Sequence, residues 1–138
     1  MTYLLDTSVI VAILRDKPAH VRQRLRAAMK RDAELAASSV ALFELWYGVA
    51  CSNRQDENAE RLRIFLSGDV KVIDFTHDDA RIAGELRAGL ESRGASIGAY
   101  DLLMAAQALR HGATLVTANT REFSRVPKLR WQDWTKKG

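Results

Sequence analysis

At 138 residues the chain has the length of one ordinary domain, and we read 1–138 as a single unit. Its 47% hydrophobic and 28% charged residues exclude intrinsic disorder. One cysteine, Cys51, excludes an internal disulfide and argues against a cysteine zinc site; His20, His77 and His111 form no ligand pair. The formal charge is +4.

The basic excess is uneven. Residues 15–31 hold seven Lys or Arg against Asp16 alone, and residues 121–138 hold six against Glu122 and Asp133. Concentrated positive charge is the footprint of a polyanion binder, although each cluster alone also reads as a solvated face or tail. Asp6 interrupts the apolar start, so no signal peptide is expected, and Leu35 to Asn53 is too polar for a membrane span. The expectation is a cytoplasmic protein without membrane contact.

In chain order, Tyr3-Leu4-Leu5 is a short strand that stops at the capping residues Asp6-Thr7-Ser8, and a helix follows to about Leu14. Pro18 opens a second helix carrying Val21, Leu25, Ala28 and Met29. Leu35-Ala36-Ala37 is a strand, after which Ser38 or Ser39 caps a helix with Leu42, Leu45, Trp46 and Val49. Asp56 to Leu66 is helical and ends at Gly68, and Val70 to Phe75 alternates as a strand. Thr76-His77-Asp78-Asp79 is a capping-box pattern before a helix with Ile82, Ala83, Leu86 and Leu90. Gly98 precedes a helix that ends at His111-Gly112. Thr114 to Thr117 is a strand, and Leu129 to Trp131 a last one, with Trp131 and Trp134 packing the C-terminal segment. Strands separated by helices predict an α/β fold: a short, mostly parallel central sheet of four or five strands with helices on both faces. Sites in such folds form at the carboxyl ends of strands, where Asp6 and the segment after Thr117 fall.

Three acids stand alone. Asp6 is the only side-chain charge in 1–14, Glu44 in 35–53 and Asp101 in 95–109. These windows hold three charges where an even spread at 28% would place about 13. On a helix, Glu44 neighbours Val40, Ala41, Tyr47, Gly48 and Cys51, and Asp101 neighbours Met104, Ala105 and Ala108, so neither finds a cation on its own helix. Each has an ordinary explanation. Asp6 fits a helix N-cap, Asp101 fits a helix dipole, and Glu44 fits a buried salt bridge to a distant Arg. One cause covers all three: carboxylates gathered in a dry site repel each other unless a cation joins them, and hard oxygens without His or Cys suit Mg²⁺ or Mn²⁺.

Four segments resemble the motifs of PIN-domain ribonucleases. They are Leu4-Leu5-Asp6-Thr7-Ser8, Ser39-Val40-Ala41-Leu42-Phe43-Glu44-Leu45, Ile97 to Ala106 around Asp101, and Leu115 to Phe123. Their order, spacing and total length resemble the VapC toxins of type II toxin–antitoxin pairs in particular. The resemblance implies a PIN-like fold and metal ligation by Asp6, Glu44 and Asp101. It also implies a fourth acid after Thr117. Asn119 stands where many PIN domains place an Asp, and Glu122 is the nearest acid. Thr7, Ser39 and Asn119 would hydrogen-bond around the ligands by the same likeness, while Thr7 and Ser39 equally fit helix caps.

The implied activity is Mg²⁺- or Mn²⁺-dependent cleavage of single-stranded or structured RNA such as tRNA, with Asp6, Glu44, Asp101 and Glu122 as the catalytic acids. The implied partners are a VapB-like antitoxin protein and a second copy of the chain. Phe43, Trp46 and Tyr47 are candidates to line an antitoxin groove, although core packing is the expectation for Phe43 and Trp46. Two other classes compete. A phospho-acceptor domain would want adjacent acids after the first strand and a Lys after a late one; Asp6 has no acidic neighbour, and no Lys follows Thr117 before Lys128. A non-catalytic RNA-binding module would not need isolated acids.

Overall fold

A computed structural model describes residues 1–136; Lys137 and Gly138, the end of the second basic cluster, lie outside the described residues. The order is β1 (Thr2–Leu5), α1 (Thr7–Arg15), α2 (Ala19–Lys30), β2 (Glu34–Ser38), α3 (Ser39–Ala50), α4 (Gln55–Leu66), β3 (Val70–Ile73), α5 (His77–Ser92), α6 (Ala99–His111), β4 (Thr114–Val116), α7 (Thr120–Phe123) and β5 (Trp131–Gln132).

The five strands form one sheet in the order β3-β2-β1-β4-β5, and every pairing is parallel. Strand β1 lies at the centre. The chain builds outward from it on one side through β2 and β3, then returns to its other side with β4 and β5. The carboxyl ends of β1 and β4 therefore lie side by side where the strand order reverses, the place at which open α/β sheets form their crevice. The Asp6 N–H donates to the Val116 carbonyl at 2.9 Å and holds the two ends together.

Alternation along β1 separates two cores. Tyr3 and Leu5 point to one face with Val9, Ile10, Val21, Leu45 and Leu62, while Leu4 points to the other with Leu90, Leu102, Ala105, Leu115 and Phe123. Leu4, Leu5 and Leu115 are fully buried, and each such side chain stabilises the fold by about 1.5–3 kcal/mol. Trp134, 1% exposed, packs edge-on to Tyr3 with ring centroids 5.3 Å apart. Trp131, expected to pack likewise, stays 38% exposed because β5 is a two-residue edge strand.

Most elements stand where the residues place them. Thr76 and Asp79 form the capping box of α5, and the buried Asp79 also pairs with Arg110 of α6. Gly112, with φ +61°, closes α6 in the left-handed region that glycine favours. The differences are local. Ser38, not Ser39, caps α3; the Ser39 hydroxyl accepts from Phe75 N–H at 3.0 Å and ties α3 to the loop after β3. Strand β3 stops at Ile73, β4 at Val116, and β5 begins at Trp131, because a strand lasts only as long as its neighbour offers ladder bonds. Helix α7 was not expected at all. No helix among the described residues is long and apolar enough to cross a membrane.

Candidate active site

Asp6 leaves β1 and caps α1. Its carboxylate accepts from Thr7 N–H at 2.7 Å, from Thr117 Oγ1 at 2.7 Å and from Ser8 Oγ at 3.2 Å. The capping explanation is thus correct, and it does not exhaust the residue. Burial pushes the Asp6 carboxyl above its usual range, against the pull of Thr117, Thr7 and Ser8. A cap exposed to water would not be raised.

The next residue reaches across to α3. Thr7 Oγ1 donates to Glu44 Oε1 at 2.8 Å. Glu44 therefore meets a hydroxyl from the first residue of α1 and not the distant Arg that a buried salt bridge would need. Among the described residues no ion pair involves Asp6, Glu44, Asp101 or Glu122, although seven other pairs form elsewhere.

Asn119 joins the remaining acids. Its N–H donates to Thr117 Oγ1 at 2.9 Å, which connects it through Thr117 to Asp6. Its side-chain amide donates to Asp101 Oδ2 at 3.0 Å and to Glu122 Oε2 at 3.1 Å. Glu122 sits one turn beyond Asn119, so the four-residue helix α7 folds it back toward α6. Both carboxylates crowd Gly98: a methyl added there would stand 3.5 Å from Asp101 Oδ2 and 3.7 Å from Glu122 Oε2.

The electrostatics agree with this convergence. The Asp101 carboxyl is pushed up to about 7, first by burial, then by sharing a hydrogen bond with Glu122, then by the charges of Asp6, Glu122 and Glu44. Glu122 is held below its usual range, chiefly by that same bond. The N-terminus of α6, which would favour a charged Asp101, is outweighed. Three acids from three other parts of the chain thus act on the Asp101 carboxyl. As their side chains stand, no three His, Cys, Asp or Glu among the described residues close around a single point, so enclosing an ion takes side-chain rotation. The donor set itself fits a hard divalent cation: four carboxylates, no soft ligand, and one carboxyl raised by burial and by its neighbours' negative charge.

Comparison with known proteins decides the family. The PIN-domain model matches residues 3–129. The chain belongs to the PIN-domain family. A relative named ribonuclease VapC2, from Rickettsia felis, is 40% identical over 99% of this chain and 100% of its own length. A tRNA(fMet)-specific endonuclease VapC from Shigella flexneri is 35% identical over 98% and 99%. Among solved structures, VapBC2 from Rickettsia felis bound to a promoter DNA fragment superposes with a TM-score of 0.91, at 40% identity over 97% of this chain and 99% of that one. DNA-bound VapBC from Salmonella typhimurium gives 0.87, at 34% identity over 97% and 98%. The resemblance drawn from four motifs is thereby confirmed, together with its fold: the parallel sheet with helices on both faces is that of a PIN domain.

The structure brings together Asp6, Glu44, Asp101, Glu122, Thr7 and Asn119. Ser39 bonds Phe75 instead, as noted above. Sequence reasoning missed Thr117, which is fully buried and donates to Asp6; its position at the end of the strand beside β1 was the available signal. The core expectation for Phe43 and Trp46 is corrected. Ala41 and Leu45 fill the inward face of α3, which turns Phe43 (56% exposed), Trp46 and Tyr47 outward. Phe43 meets Tyr100 of α6 with centroids 5.7 Å apart, and the Arg63 guanidinium lies 5.8 Å over Trp46. Beside Glu44 a cleft of about 260 Å³ runs between α1, α3 and α4, with Val11, Arg15, Val49 and Arg61 in its walls. Of the first basic cluster, Arg15 reaches this cleft, whereas Arg22 pairs with Asp16 and Arg24 donates to the Asp133 carbonyl.

Proposed function

We propose that this PIN-domain chain is a Mg²⁺- or Mn²⁺-dependent endoribonuclease, the toxin of a toxin–antitoxin pair, acting on structured or single-stranded RNA such as tRNA. The observation that carries this reading is the convergence of Asp6, Glu44 and Glu122 on Asp101, whose carboxyl their charges help raise to about 7. RNA hydrolysis and neutralisation by a VapB-like protein are what the names of its full-length relatives and structural neighbours support. A domain of this kind working on cellular RNA belongs in the cytoplasm, and a homodimer is the expected form.

Asp6, Glu44 and Asp101 would hold the ion, which when bound makes a water acidic enough to supply hydroxide near neutral pH and neutralises charge on the scissile phosphate. The rest is the work of the chain. Thr117, Ser8 and the Thr7 N–H fix the orientation of the Asp6 carboxylate. Thr7 fixes Glu44, and Asn119 holds Asp101 and Glu122 side by side. One of the ligands or Glu122 orients the attacking water and takes its proton. In-line attack then leaves a 5′-phosphate and a 3′-hydroxyl. Basic side chains hold the RNA backbone, which makes binding salt-dependent. The cleft beside Glu44 and the exposed aromatics of α3 suit an antitoxin segment that delivers an Arg to the carboxylates.

The phospho-acceptor reading lacks the adjacent acid and a Lys directly after β4, and a binding module has no use for acids that repel one another. Asp101→Asn is expected to abolish cleavage of total tRNA with the circular dichroism spectrum unchanged. Mn²⁺ should raise the melting temperature of the wild type, by the equivalent of about 2.7 kcal/mol at a hundredfold excess over Kd. Cleavage by the purified variant at the wild-type rate refutes the assignment.

A further inference from the structure

Asp101 is delivered to the crevice by a loop as much as by a helix. Residues 93–98 connect α5 to α6, and the segment around α7 grips them from outside. Glu122 accepts from the Gly98 N–H at 3.5 Å, and Arg125 Nη1 donates to the Ser96 carbonyl at 2.8 Å. The first of these is long, so the Arg125 bond is the firmer of the two. The Arg125 backbone N–H in turn donates to the Glu122 carbonyl at 3.0 Å, so the turn that places Glu122 also places the guanidinium. The loop's first half is held by its own bonds and packing: Ala95 N–H donates to the Leu90 carbonyl at 2.9 Å, and Ala95 and Ile97 lie against the core, with Gly94 at φ +64°. At Ser96 the Arg125 bond is the tie to the α7 segment.

We propose that Arg125 is a positioning residue: by holding the Ser96 carbonyl it fixes the loop that enters α6, and so sets where Asp101 stands relative to Glu122. This rests on the nuclease reading above. Misplacement of a reacting group by about 1 Å can lower a rate a hundredfold, and loss of a residue that orients metal ligands typically weakens metal binding ten- to a hundredfold. Arg125 is exposed and bonds through a single hydrogen bond, which places its effect at the low end.

Arg125→Ala, Arg125→Lys and Asp101→Asn would be compared with the wild type. Mn²⁺ affinity is read by electron paramagnetic resonance of the free ion without RNA, and kcat and KM are measured on total tRNA at several salt concentrations. We expect Arg125→Ala to weaken Mn²⁺ binding about tenfold and to lower kcat by a similar factor, with KM within about twofold and the salt slope unchanged. Lys still donates to a carbonyl, so Arg125→Lys should recover most of the Mn²⁺ affinity. Unchanged Mn²⁺ affinity with raised KM and a salt slope smaller by about one would mean that Arg125 contacts an RNA phosphate, and the proposal falls. A lowered melting temperature with affinity and kcat intact also overturns it, leaving a purely structural bond. If Asp101→Asn keeps wild-type Mn²⁺ affinity, the metal-site reading fails first and takes this one with it.

Discussion

In metal-free protein, replacing Asp101 by Asn should make the fold more stable. The Asp101 carboxyl stands at about 7 against an ordinary 3.8, through burial, the Glu122 bond and the charges of Asp6, Glu122 and Glu44. At about 1.4 kcal/mol per pH unit, carrying that charge well above pH 7 would cost the fold about 4 kcal/mol. Asp101 is only partly buried, so solvent screening reduces the figure to about 1–2 kcal/mol. Asn keeps the shape and still accepts from the Asn119 amide. A domain of this size gains about 4 °C per kcal/mol, so the melting temperature at pH 8 in EDTA should rise by about 4–8 °C. The sign of the pH dependence follows. Because the folded value is raised, the native state keeps a proton between about pH 4 and 7 that the unfolded chain has released. Wild-type stability therefore rises as the pH falls through 7, and levels off near 4. Asn does not titrate, so this slope should flatten in the variant and the gap should narrow toward pH 5. Scanning calorimetry of both proteins from pH 5 to 8 measures it. A lower melting temperature for the variant at pH 8, or two parallel pH curves, would show that Asp101 carries no burden from its neighbours.

Two further outcomes are expected. Asp79 is fully buried, caps α5 and pairs with Arg110, so Asp79→Asn should cost about 2–3 kcal/mol in urea unfolding. Burial alone would raise the Asp79 carboxyl, but the bonds from Arg110 and Thr76 outweigh it and hold it below its usual 3.8. Its contribution is therefore complete above about pH 4 and is lost as the pH falls further through the folded value; a variant as acid-sensitive as the wild type contradicts this. Asn119→Ala removes both amide bonds that draw Asp101 and Glu122 together, and kcat on total tRNA should fall about tenfold while unfolding shifts by no more than about 1 kcal/mol. An unchanged kcat would mean that the two carboxylates find their places unaided.

What could be read beforehand, and what could not, follows from the range of each interaction. Strand β1, the capping box of α5 and the Gly112 stop are written within a few neighbouring residues, and the structure places them as expected. Asp6, Glu44 and Asp101 were legible because an ion in an apolar stretch needs a reason, and no neighbour on the same helix supplied one. Helix α7 was not, since four residues are too few to show a period. Phe43 and Trp46 misled because hydrophobic character says that a side chain avoids water, not which side of its helix is already full; Ala41 and Leu45 occupy the inner face. Thr117 was hidden for a different reason. Threonine ending a strand is an ordinary local choice, and its bond to Asp6 exists only once β4 has come to lie beside β1. Thr7 and Asn119 were named through the motif resemblance, and their bonds to Glu44, Asp101 and Glu122 are what the structure adds. The isolated acids announce themselves by their cost, whereas the groups that orient them cost nothing locally, and the bonds they make are visible only in three dimensions. The orienting residues are therefore where this chain's own variation on the PIN site is to be sought, beginning with the Asn119 amide and the Arg125 guanidinium.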